Sequence, residues 1–115
     1  MRRTDRTHAY SAGVPALARR IGPRELRRLF VRFCHEVARF PGAFEIETAP
    51  FDLTLREAAS GFSVTVSPLR DLFLVSIGEG RSFDIRVSSA DGFASALDLT
   101  LAGYLTSAAK PAQGA

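Results

Sequence analysis

The chain holds a single cysteine, Cys34, among 115 residues, so no intrachain disulfide can brace the fold. A hydrophobic core has to do that work, and a chain of this length can bury one without disulfide or metal. A lone thiol suits a reducing compartment, and the expected setting is cytoplasmic. Long apolar runs are missing too. No stretch approaches the roughly 20 residues that cross a bilayer, so no membrane span is expected. The N-terminal stretch MRRTDRTHAYSAGVPALARR has no apolar centre of the secretory-signal kind and reads as a basic flexible tail over residues 1–20. Lysine is nearly absent, fourteen of the fifteen basic residues being arginine. GC-rich coding accounts for that bias as readily as guanidinium chemistry does, so it carries no functional weight alone.

Catalytic signatures are also lacking. None of the serines sits in a strand-to-helix nucleophile elbow. Gly78-Glu79-Gly80 lacks the phosphate-loop pattern, joins two strands, and reads as a hairpin turn. Cys34 and His35 are adjacent, and adjacent helical residues point about 100° apart, so they do not converge on one ion or substrate. His8 lies in the tail. No metal site and no cofactor are therefore expected, and Cys34 reads as a small buried thiol. Glu45 and Glu47 share one strand face about 7 Å apart, but they read as solvated charges on a wet face rather than a working pair. The expectation leans away from an enzyme.

What is present is an uneven charge layout. The net charge is only +3. Residues 1–42 nevertheless carry ten arginines against Asp5, Glu25 and Glu36, a balance of +7, whereas residues 43–115 carry five basic residues against nine acids, a balance of −4.

The pattern of apolar residues gives the elements. IGPRELRR reads as a helix start, with Gly22 as N-cap, Pro23 at the first helical position, Glu25 placed as in a capping box, and Ile21 and Leu26 at staple spacing. The helix runs over 23–40, stopped by Pro41-Gly42. Leu26, Leu29, Phe30, Phe33, Val37 and Phe40 share one arc of roughly 100°, and Arg24, Arg28, Arg32, His35 and Arg39 share an opposite arc of roughly 80°. After Gly42 the period falls from 3.6 to 2. Phe44 and Ile46, then Phe51, Leu53 and Leu55, then Phe62, Val64 and Val66, then Phe73, Val75 and Ile77, then Phe83, Ile85 and Val87 form five apolar runs alternating with polar residues, except that the fourth keeps leucines on both faces. Pro50, Ser60-Gly61, Pro68 and Gly78-Glu79-Gly80 separate them. Clean alternation and short connections point to an antiparallel meander with one wet face. Residues 44–56 fit either a tight hairpin or one long bulged strand. A last helix over 90–107, capped by Ser89 or Asp91, carries Phe93, Leu97, Leu101, Tyr104 and Leu105 as its stripe, and residues 109–115 are a frayed end.

The predicted fold is therefore α+β and two-layered, a five-run antiparallel meander with the N- and C-terminal helices on one face, in a single domain over 21–108. The order α-β-β-β-β-β-α resembles that of the frataxin fold and, more loosely, of small secretion-chaperone folds. The resemblance is one of topology; frataxin-like proteins carry acid on the first helix where this chain is basic, so no function is carried across.

Two surfaces stand out. Arg19, Arg20, Arg24, Arg28, Arg32 and Arg39 form a candidate anion-binding face, set against pairing of Glu25 with Arg28 and of Glu36 with Arg32 and Arg39. No aromatic residue interleaves these arginines, which gives no support to base stacking. Leu72 and Leu74, with Thr65 and Ser67 beside them, form a candidate interface on the outer sheet face. The functional expectation is a small non-catalytic binding or assembly module, self-associating as a homodimer or meeting a protein partner through that sheet face. The alternative is binding to nucleic acid or another anionic surface through the basic helix and tail.

Overall fold

The structure, a computed structural model, describes residues 13–78 and 84–109. A short helix α1 over 13–18 is followed by α2 (Arg24–Ala38), five strands and α3 (Ala90–Ala109). The strands are β1 (Phe44–Thr48), β2 (Leu53–Glu57), β3 (Phe62–Pro68), β4 (Phe73–Ile77) and β5 (Asp84–Val87). They lie side by side in chain order, and every neighbouring pair is antiparallel. Residues 44–56 form a hairpin, closed where the Ala49 N–H donates to the Asp52 carbonyl at 2.8 Å. The left-handed turns fall at glycine, Gly61 at φ 78° and Gly78 at φ 87°.

Register decides which side chains meet the helices. Leu55 stands opposite Ile46 and Val64, Val66 opposite Val75, and Phe73 opposite Pro68 and Val87. These make the inner face, and both long helices pack on it. Phe73 touches Phe30 edge-on with ring centroids 5.4 Å apart, and Phe33 lies 6.3 Å from Phe93. Because Phe33 meets Phe93 and, further along, Phe40 meets Tyr104, α2 and α3 run in the same direction. Their N-termini therefore share one end of the molecule with the 49–52 and 69–72 turns.

Several expectations need correction. Residues 1–20 are not tail throughout: residues 13–18 are helical, and Val14, Leu17, Ala18 and Ile21 are buried in the core. Their spacing is helical, but six residues are too few to show a sustained period. The Gly22 N–H donates to the Arg70 carbonyl at 2.8 Å and ties this segment to the β3–β4 turn. Residues 1–12 and 110–115 lie outside the described residues, as do residues 79–83, among them Glu79 and Gly80 of the expected turn and Phe83 of the expected fifth run. Helix α2 starts one residue later than expected, because Pro23 keeps an extended backbone at ψ 132° and so stands as the N-cap. The cap of α3 is Ser89, whose hydroxyl accepts from the Gly92 N–H at 3.3 Å.

The stripe of α3 is also rotated from the expected one. Phe93, Ala96, Thr100 and Tyr104 are buried, while Leu101 and Leu105 face out at 36% and 50% exposure. This helix is apolar nearly all round, so periodicity alone does not choose its inner side. Close approach does: a Cβ on Gly103 would lie 3.2 Å from Ile77 and 3.3 Å from Phe62, so the small side of the helix meets the sheet.

The place of α1 in the core is testable. Leu17→Ala should lower the free energy of unfolding by about 2–5 kcal/mol, as truncating a buried leucine does. A tail residue would cost nothing. Urea unfolding followed by circular dichroism reads the difference.

Candidate anion-binding face

Phe30, Phe33, Cys34 and Val37 fix the rotation of α2 by filling the core, with Leu29 and Phe40 half-buried at the flank. The opposite arc is left in solvent. Arg24, Arg28, Arg32, His35 and Arg39 are all exposed, as the spacing predicts. Successive arginines of the Arg24–Arg28–Arg32 row rise about 6 Å along the helix, and Arg39 extends the face to about 22 Å. The side chains border an open hollow of about 820 Å³ on the outer side of α2.

The carboxylates do less to neutralise this face than the spacing suggests. Arg32 Nε stands 3.9 Å from Glu36 Oε2, at the outer limit of an ion pair. Arg24, Arg28 and Arg39 have no ion pair among the described residues, so the pairings that spacing allows, Glu25 with Arg28 and Glu36 with Arg39, are not made there. Arg32 is held by a ring instead, its guanidinium 5.2 Å from the centroid of Phe93. Arg27 sits half-buried below the row and donates from Nη2 to the Gly22 carbonyl at 3.3 Å. Arg19 and Arg20 follow α1, and both are exposed. Arg20 does not extend the row: its guanidinium lies 4.7 Å over Phe51, an exposed ring in the β1–β2 turn.

The four interface candidates are only partly brought together. Thr65, Ser67 and Leu74 share the outer sheet face, with Leu74 between Ser67 and Arg86. The Thr65 hydroxyl is engaged within the sheet, 2.9 Å from that of Thr54. Leu72 precedes β4, its carbonyl accepting from the Leu69 N–H at 2.8 Å. Both leucines are half-buried, and the face around them is polar. Large apolar side chains do stand out elsewhere: Leu69, Leu99, Leu101 and Leu105 are exposed. Glu45 and Glu47 lie on the outer face of edge strand β1, Glu47 within 3.6 Å of Arg56, an exposed pair on a wet surface.

One buried acid escaped the reading of the sequence. Glu57 lies on the inner face between Phe44 and Phe62, 6% exposed, with the Ser60 hydroxyl donating to its Oε1. A Cβ on Gly42 would overlap this carboxylate and crowd the Tyr104 hydroxyl, so a side chain there would have to displace the Glu57 head group. The strand phase was the available signal, since two residues beyond inward Leu55 is again inward. Among the described residues no group of three or more His, Cys, Asp or Glu side chains could hold a metal. No helix among them is long and apolar enough to cross a membrane.

Comparison with family models, curated proteins and solved structures finds no match for the chain. The likeness to the frataxin fold thus stays one of element order, and function has to be argued from these surfaces.

Cys34 is fully buried, and desolvation pushes its thiol far above the ordinary range. The thiolate is the reactive form, so native protein should label slowly with a thiol reagent and denatured protein promptly. A stopped-flow chromogenic disulfide assay compares the two, and equal rates would contradict the burial.

Proposed function

We propose that this protein is a non-catalytic binding module that takes an anionic partner along the exposed face of α2. The observation that carries the reading is the row of guanidinium groups at Arg24, Arg28 and Arg39 without ion pairs among the described residues. Guanidinium is always charged and forks toward carboxylate or phosphate, so an exposed row of such groups favours a partner with repeated negative charge. Arg32, stacked on Phe93, adds a further fixed charge beside them. The lone buried thiol is at home in a reducing compartment, and a cytoplasmic setting belongs to the same reading.

Binding of this kind should weaken steeply with salt. Fluorescence anisotropy with labelled poly-glutamate and with duplex DNA measures it. The variant carrying Arg24→Gln, Arg28→Gln and Arg39→Gln should bind at least about tenfold more weakly while keeping its helical circular dichroism. On a nucleic-acid probe the slope of log affinity against log salt should flatten by about 2–3 units, near 0.9 per lost contact. Wild-type protein that binds neither probe at low salt would remove this reading.

A second reading places a second copy of the chain on the outer sheet face. No described helix covers that face, and Leu74 sits in it with small Ser67 directly opposite. A two-fold interface repeats the patch, so one substitution acts twice. Light scattering should then report a dimer for the wild type and a folded monomer for Leu74→Glu, since burying two unpartnered carboxylates is costly. A wild-type monomer would end this second reading.

A further inference from the structure

The arginine row borders more than open solvent. At the end where both long helices begin, a cleft of about 580 Å³ opens between them. Arg28 and Arg32 form one wall and Ser88 and Ser89 the other, with Leu26 and Leu29 among the lining side chains. Leu26 is buried and Leu29 half-buried, so the cleft offers apolar surface beneath a charged rim. Arg32 is held there by its stacking on Phe93. Two of the arginines of the α2 face thus also border a cavity with apolar lining.

Two carboxylates, Glu25 and Asp71, line the same cleft. They matter for the kind of anion that fits. A nucleic-acid backbone carries a charge at every unit and would bring phosphates against Glu25 and Asp71 as well as toward the arginines. It would also leave the leucine surface unused. A peptide can set one acidic side chain on Arg28 and Arg32, keep other charges clear of Glu25 and Asp71, and lay a neighbouring apolar side chain on Leu29.

We infer that the anionic partner is a protein segment in which acidic residues flank an apolar one, the apolar side chain entering the cleft between α2 and α3 while the acids lie along the arginines. The inference rests on the anion-binding reading of α2 and names the partner's chemistry. Most of the attraction comes from charge, whereas selectivity for protein over nucleic acid comes from the cleft, because only an apolar side chain gains from leaving water there.

The test uses the full chain and three labelled probes in fluorescence anisotropy at low salt: a short peptide repeating Glu-Leu-Glu-Glu, the same peptide with Ser in place of Leu, and a duplex DNA of similar charge. The leucine peptide should bind about tenfold tighter than the serine peptide, as expected for partial burial of one leucine side chain, and tighter than the DNA. Arg28→Gln should weaken both peptides. Ser88→Trp, which fills the cleft from an exposed position, should abolish the preference for leucine. Leu29→Ala should erase the same preference, with circular dichroism checking its fold. Equal binding of the two peptides would overturn the role of the cleft and leave the charged face standing. Tighter binding of the DNA than of either peptide would overturn the choice of a protein partner. Binding of none of the three would remove the anion-binding reading itself.

Discussion

Phe73 stands where the sheet meets the helices. It lies at the start of β4 on the inner face, fully buried, with Phe30 edge-on at 5.4 Å and Phe33 tilted at 6.1 Å. Phe33 reaches in turn to Phe93 of α3. This run of rings sets the rotation of α2 about its own axis, and the rotation sets everything outside. With Phe30, Phe33 and Val37 turned inward, the residues about half a turn away must point to solvent, and those are Arg24, Arg28, Arg32 and Arg39. The basic face is a geometric result of aromatic packing on its other side.

The far end of the molecule is organised differently. Phe40, Phe44, Phe62 and Tyr104 pack ring against ring, with centroids 5.4 to 6.3 Å apart. Glu57 is enclosed beside them, its carboxylate held by Ser60 and pressed against Gly42. A buried carboxylate is tolerated only where polar partners meet it, and here the β2–β3 turn supplies the hydroxyl. The two ends therefore divide the chemistry: an open, charged cleft where the long helices begin, and a closed aromatic cluster with one internal acid where α2 ends.

Much of this was legible in the residues. The change of period at Gly42 and its return near Ser89 located both long helices, and the alternation of Phe62, Val64 and Val66 against Ser63, Thr65 and Ser67 located a strand and its faces. The arc of Arg24, Arg28, Arg32 and Arg39 was readable because α2 is strongly two-sided. Where a segment lacks two distinct sides, the pattern fails. Helix α3 has few charges, and its buried face was decided by how closely Ala96, Thr100 and Gly103 let it approach the sheet, which is a property of the pair and not of the helix. Helix α1 was too short for its period to register. Spacing allows Arg28 and Arg39 to pair with Glu25 and Glu36, yet among the described residues no ion pair joins them. The cleft was invisible, because it is assembled from Arg28, Asp71 and Ser89, residues far apart in the chain.

The strand order has a consequence for how the chain reaches this state. Every strand pairs with its neighbour in sequence, so the sheet can form one hairpin at a time, closing only short loops. The long-range step is the arrival of α3, whose Phe93 meets a phenylalanine about 60 residues earlier in the chain. During synthesis α2 and the strands leave the ribosome before α3, and the surface awaiting α3, including Phe62 and Ile77, stays wet until α3 follows. A nascent chain stalled before Ala90 would thus display a half-covered apolar sheet, the kind of surface that chaperones hold and that aggregates when they do not.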